Sequence, residues 1–176
     1  IDKIEIFKGN SASVLYGDGA IGGAINIITN PATSKKPINE IKLRTGTFNY
    51  REFDWNYFQN FNNIFFNIYF NNMVTDGYRD NNEQQQTNLT SELRYASRKG
   101  DHFLKIGLSD QNMNLPGDRS QTEIYTDRKG TSTPNDYAKS DGGSILYGSD
   151  YKVSDSITFI IGSSFRLKDS YSDLQS

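Results

Sequence analysis

The chain has 176 residues, with 19 lysines and arginines against 21 aspartates and glutamates, for a formal net charge of −2. That balance offers no clustered cationic surface for nucleic acid, and the absence of cysteine removes both a disulfide framework and a thiolate metal site. Hydrophobic residues reach only 35% but aromatics 13%, with 11 Tyr and 11 Phe; disordered chains lack aromatics, so the composition fits strands with one apolar and one polar face.

The first 33 residues differ from the rest. Ile4 and Ile6 alternate with Lys3 and Glu5, which predicts a short strand over 2–8. Ser11 and Ser13 are helix-capping types, and SASVLY predicts a short helix over 11–16, ended by Gly17. Gly17-Asp18-Gly19-Ala20-Ile21-Gly22 is a literal G-x-G-x-x-G. A dinucleotide loop needs a helix immediately after it. Here GGAINIIT follows, which is a poor helix and a good strand. The glycines therefore read as tight turns and close backbone approaches. ATSKKP, residues 32–37, reads as a connecting segment.

From Ile38 onward the pattern has period two, and seven strands are predicted. Apolar residues such as Ile41, Trp55, Phe70, Leu89, Leu108 and Phe165 alternate with Lys42, Asp54, Asn71, Asn88, Lys105 and Arg166. The connections alternate in length. Short turns are expected at 61–63, 98–101 and 152–155, and long loops over 72–86 and 112–139. A hairpin sheet with short turns on one rim and long loops on the other is the signature of outer-membrane barrels. A polar strand face carrying Glu52, Asp54, Glu92, Arg94, Lys105 and Arg166 can line a wet lumen, and the aromatic-rich face can meet lipid. A soluble β-sandwich or lipocalin-like sheet, binding a ligand or carbohydrate through its loops, also alternates and stays open as an alternative.

No run reaches the roughly 18 apolar residues of a membrane-crossing helix. There is no G-x-S-x-G, no Cys–His pair and no metal-ligand cluster, so no catalytic residue, metal site or cofactor is predicted, and the chain does not read as an enzyme. The single histidine, His102, reads as a surface or interfacial residue. The long segment 115–139 carries Arg119, Tyr125, Arg128 and Tyr137, and the other long loop carries Tyr78 and Arg79. Loops of that length are uncommon unless functional. These six residues are the candidates for contact with an anionic or aromatic ligand.

The stretch IEIFKGNSASVLYGDGAIGGAINIIT, Ile4 to Thr29, resembles the C-terminal end of the plug domain of TonB-dependent outer-membrane receptors. The matching positions include Glu5, Lys8, Gly9, Tyr16, Gly17, Gly22, Gly23 and Asn26. The LPGDRS and GTSTPNDYA pieces of the long segment resemble loops of iron-complex receptors in that family. The resemblance implies a mainly β protein: the end of a small α+β plug over 1–33, a linker over 34–37, and over 38–176 about seven strands of a transmembrane barrel of about 22. It also implies active uptake of an iron complex, a ferric siderophore or haem, across the bacterial outer membrane. Substrate would bind between the extracellular loops and the plug. The TonB–ExbB–ExbD complex would supply energy through an N-terminal TonB box lying outside these residues. Glu5 and Lys8 would pair with one another or with the charged lumen face. Both ends of the chain read as cut, so a fragment is expected.

Overall fold

The structure, a computed structural model, describes residues 3–9, 22–28 and 37–175. The chain forms two units, 1–35 and 36–176. In the first, β1 (Lys3–Lys8) pairs antiparallel with β2 (Gly23–Ile28), Lys3 opposite Ile28 and Lys8 opposite Gly23. Gly23 explains part of the glycine cluster: its φ is +133°, and a Cβ there would lie 2.6 Å from the Phe7 carbonyl oxygen. A β-strand, not a helix, follows the glycines, so the element a dinucleotide loop requires is not there. Lys3 Nζ donates to Glu5 Oε1 at 2.5 Å. Period-two geometry puts Lys8 on the opposite face of β1 from Glu5. The helix expected over 11–16, with Tyr16 and Gly17, lies outside the described residues.

The second unit is one antiparallel sheet in which every strand pairs with its sequence neighbours. Its strands are β3 (Ile38–Thr45), β4 (Arg51–Phe61), β5 (Ile64–Thr75), β6 (Gln84–Ser97), β7 (Gly100–Asn114), β8 (Tyr137–Ser154) and β9 (Ile157–Asp173). A helix, α1 (Gln121–Thr126), sits between β7 and β8. The register carries each side-chain row across the whole sheet. Trp55, Phe70, Leu89, Leu108, Gly143 and Leu167 form one row; Asp54, Asn71, Asn88, Ser109, Gly142 and Lys168 form the next, on the other face.

The two faces therefore differ in kind. On the apolar face aromatic rings pack across strands, Phe53 against Phe70 at 5.9 Å and Tyr57 against Phe66 at 6.2 Å between centroids. On the polar face Arg44 Nη1 reaches Asp54 at 2.5 Å and Glu52 at 2.7 Å, while Asn71 Nδ2 donates to Asp54 at 2.8 Å and to Glu52 at 3.1 Å. Arg94 reaches Asp101 at 2.7 Å and Glu92 at 3.1 Å. There is no hydrophobic core: Phe58, at 4% exposure, is the one buried hydrophobic residue among those described, and Leu43, Phe165 and Leu167 of the apolar face are more than half exposed. Within this unit no second layer covers either face among the described residues.

The alternation of connections holds. Turns at 62–63, 98–99 and 155–156 share one rim; connections 46–50, 76–83 and 115–136 share the other. The loops are shorter than the sequence predicts, because the strands run on. β5 continues to Thr75 and β6 begins at Gln84, which leaves eight residues where 72–86 was expected. β7 continues to Asn114 and β8 begins at Tyr137. β8 also runs through the expected 152–155 turn to Ser154, with a register shift between Lys152 and Ser154. His102 lies on the apolar face beside the short-turn rim, stacked on Tyr95 at 6.2 Å, its Nδ1 2.7 Å from Ser149 Oγ.

Candidate functional site: the cationic loop cleft

The long-connection rim is held together by backbone groups and two forked side chains. The tight turn 46–50 places Phe48 and Asn49 at φ of 58° and 55°, uncommon for a bulky residue. The conformation is pinned from outside: Phe48 O accepts from Asp76 N–H at 2.9 Å and from the Thr75 hydroxyl at 3.2 Å, and the Phe48 ring meets Tyr78 edge-on at 5.5 Å. The 76–83 loop is then fastened to the 115–136 loop. Arg79 Nη1 donates to Gly117 O at 2.6 Å, Nη2 to Pro116 O at 2.8 Å, and Nε to Gly130 O at 3.1 Å. Asn81 Nδ2 donates to Thr133 O at 2.6 Å, Asp136 O at 3.0 Å and Leu115 O at 3.1 Å. Asp80 N–H adds a bond to Lys129 O at 2.7 Å.

Within the longer loop, Ser120-Gln121-Thr122-Glu123 forms a capping box at the start of α1. The Glu123 carboxylate accepts from Ser120 Oγ at 2.6 Å and from Ser120 N–H at 2.8 Å. Those bonds, the side-chain one first, hold the Glu123 carboxyl below the usual carboxylate range. Arg119 Nη2 donates to Asp127 O at 2.9 Å and Glu123 O at 3.2 Å, so it closes the far end of the same small unit.

Between these loops lies a cleft of about 470 Å³ lined by Tyr78, Arg79, Arg119, Ile124 and Arg128. Four of the six sequence candidates thus meet in one place. Their roles divide. Arg79 is committed to backbone carbonyls and contributes charge and scaffold. Arg119 Nε is buried and has no hydrogen-bond partner, and Arg128 makes no hydrogen bond or ion pair among the described residues. Tyr78 and Ile124 add apolar surface. A cleft with an uncommitted guanidinium beside two that brace its loops suits an anion carried on a partly apolar body.

The other two candidates lie elsewhere. Tyr125, on α1, is 80% exposed and does not line the cleft. Tyr137 opens β8 on the apolar face, against Tyr171 at 5.8 Å, with Lys139 Nζ over its ring at 5.4 Å. Asn81, Phe48 and Ile124 escape sequence reasoning. Only Asn81 left a signal, an asparagine in an Asp-Asn-Asn cluster where a left-handed residue is favoured; its φ is 56°.

No protein-family profile matches the sequence, and no curated protein sequence matches it. Solved structures do. The chain superposes on the ferric citrate transporter FecA in the unliganded form with a TM-score of 0.77 and 16% identity, over 98% of this chain and 27% of that one. On the siderophore receptor PiuA from Acinetobacter baumannii the TM-score is 0.72 at 16% identity, over 96% of this chain and 26% of that one. The likeness is one of fold: the seven-stranded antiparallel sheet is built as a section of a transmembrane β-barrel wall. The chain spans about a quarter of the length of the structures it matches.

Proposed function

We propose that the chain is part of a TonB-dependent outer-membrane receptor that imports an iron complex, a ferric siderophore or haem, with residues 1–33 the end of its plug, 34–37 a linker and 38–176 the first barrel strands. The apolar face meets outer-membrane lipid, the polar face lines the lumen, and the long-connection rim faces outside. Energy comes from the TonB–ExbB–ExbD complex acting elsewhere on the receptor. The protein acts as a transporter component and performs no chemistry of its own.

The observation that carries this reading is the uncovered apolar face. On β9 it runs from Ile157 to Leu167, roughly 33 Å along a strand rising about 3.3 Å per residue. Tilted by about 40°, that is roughly 25 Å along the membrane normal, the height of an outer-membrane apolar band. A soluble β-domain would have to cover that surface with a second layer. The cleft, rich in arginine and placed on the long-connection rim, is where an anionic chelate meets the protein first.

Uptake of radioactive iron by iron-starved cells tests the function, with and without the gene. Loss of uptake of one chelate supports the reading, and unchanged uptake of every chelate tried contradicts it. Arg128→Gln should weaken binding of an anionic chelate about tenfold, or about 1.4 kcal/mol, with no change in the amount of protein in the membrane. Unaltered affinity would remove Arg128 from the site.

A further inference from the structure

The polar face of β7, β8 and β9, toward the long-connection rim, holds two cations that the loop cleft does not use. Arg166 and Lys168 stand two residues apart on β9, so both point to this face. Neither side chain makes a hydrogen bond or ion pair with any described residue. Across β6, β7 and β8 the positions beside them are small or uncharged: Thr90, Gly107 and Ser144 lead to Arg166, and Asn88, Ser109 and Gly142 lead to Lys168. A cavity of about 240 Å³ lies over these rows. A second, of about 250 Å³, shares Lys168 and continues past Ser170 and Ser140 to Gln111. A Cβ on Gly107 would come within 2.8 Å of Ser144 Oγ, and one on Gly142 within 2.9 Å of Ser109 Oγ, so the trough floor admits no larger residue without movement.

Charge placement sharpens the point. Carboxylates at this height exist on the same three strands, but Asp110, Asp141 and Asp169 form one row on the opposite face. On the polar face itself, Glu92 is held by Arg94 and the pair Glu52 and Asp54 by Arg44. Lys105 stands one row below Arg166, between Glu92 and Leu146 in the register. This part of the face is therefore positive, roomy and lined by hydroxyls and amides, and no described residue pairs with the Arg166 or Lys168 side chain.

We propose that Arg166 and Lys168 form a second anion site on the inner wall, distinct from the loop cleft, which takes a small hydrated polyanion through its carboxylate or phosphate oxygens. The inference rests on the reading of this face as the wet lumen wall. Two cations supply the attraction, the flanking hydroxyls and amides replace water around the ligand, and the small-residue floor leaves space for it. Such a site gives an anion leaving the loop cleft a place to pause inside the barrel.

The test uses the full-length protein in outer-membrane vesicles. These 176 residues contain no cysteine, so Ser144→Cys places a thiol at this site, and its labelling is read as the difference from the parent protein. Its modification rate is measured with a negatively charged and a positively charged methanethiosulfonate, with N-ethylmaleimide as the uncharged control. The anionic reagent should react roughly tenfold faster than the cationic one. Arg166→Gln with Lys168→Gln should bring that ratio to one or below. Millimolar citrate or inorganic phosphate should slow the anionic reagent in the parent but not in the double variant; protection by citrate alone selects polycarboxylates, and protection by both selects charge. Equal rates for the two charged reagents, unmoved by the double substitution, would overturn the anion site and leave the wet wall standing. Labelling by N-ethylmaleimide with no reaction of either charged reagent would overturn both the site and the wall.

Discussion

A single side-chain amide joins two loops. Asn81 Nδ2 has two hydrogens and faces three carbonyls, Leu115, Thr133 and Asp136, so one hydrogen is shared. Its backbone sits at φ 56°, which asparagine tolerates and alanine resists. Asn81→Ala should loosen the two-loop unit by about 2 kcal/mol, read as roughly thirtyfold faster tryptic cleavage at Arg128–Lys129. Asn81→Gly keeps the backbone geometry and loses only the fork, so its effect separates the two contributions. Cleavage unchanged in both variants would contradict the role. At this scale the sequence was partly legible. Tyr78, Arg79, Arg119 and Arg128 were identifiable by residue type on two loops, and they converge. Nothing in the sequence distinguishes Arg79, spent on carbonyls, from Arg128, which is not; that difference is made by contacts between loops some forty residues apart.

Among the elements, α1 shows what short structure hides. Its capping box, Ser120 to Glu123, was written in the sequence, but six residues are too few to show a helical period. Glu123 is the pH-sensitive part. Because its folded carboxyl is held below the usual range by Ser120, its contribution is full above the ordinary glutamate value. It is lost as pH falls through the depressed folded value. Amide hydrogen exchange at 123–126, corrected for the intrinsic rate, should therefore accelerate in acid. Glu123→Gln should flatten that dependence, and Ser120→Ala should cost about 1 kcal/mol of local stability at neutral pH. A profile identical in Glu123→Gln would contradict the assignment. The strands teach a related lesson. Their middles were legible because one face is apolar and the other polar. Their upper ends, Gln84-Gln85-Gln86 of β6 and Tyr137-Ala138-Lys139 of β8, read as loop in the sequence because both faces there are polar or small. Period two vanishes when nothing distinguishes the faces, and only pairing with β5, β7 and β9 keeps these segments extended.

At the largest scale, the seven-stranded unit is a sheet with no hydrophobic core among its described residues, so its stability has to come from what it meets. Ile106, in a row with Ser91, Ile145 and Phe165, lies near the middle of the apolar band. Ile106→Arg should cost about 2–4 kcal/mol of stability in a bilayer, measured by reversible unfolding of the full-length protein in lipid vesicles. The same change at Ser109, on the polar face, should cost far less. Equal costs on the two faces would contradict the sidedness.

The claim on which the rest depends is that this sheet is membrane wall. The most direct measurement is an immunoblot of fractionated source cells with antibody to the loop segment 117–136, on samples boiled and unboiled. The account predicts a band in the outer-membrane fraction that migrates differently before and after boiling, as a folded barrel does. A band confined to the soluble fraction, indifferent to boiling, would contradict it.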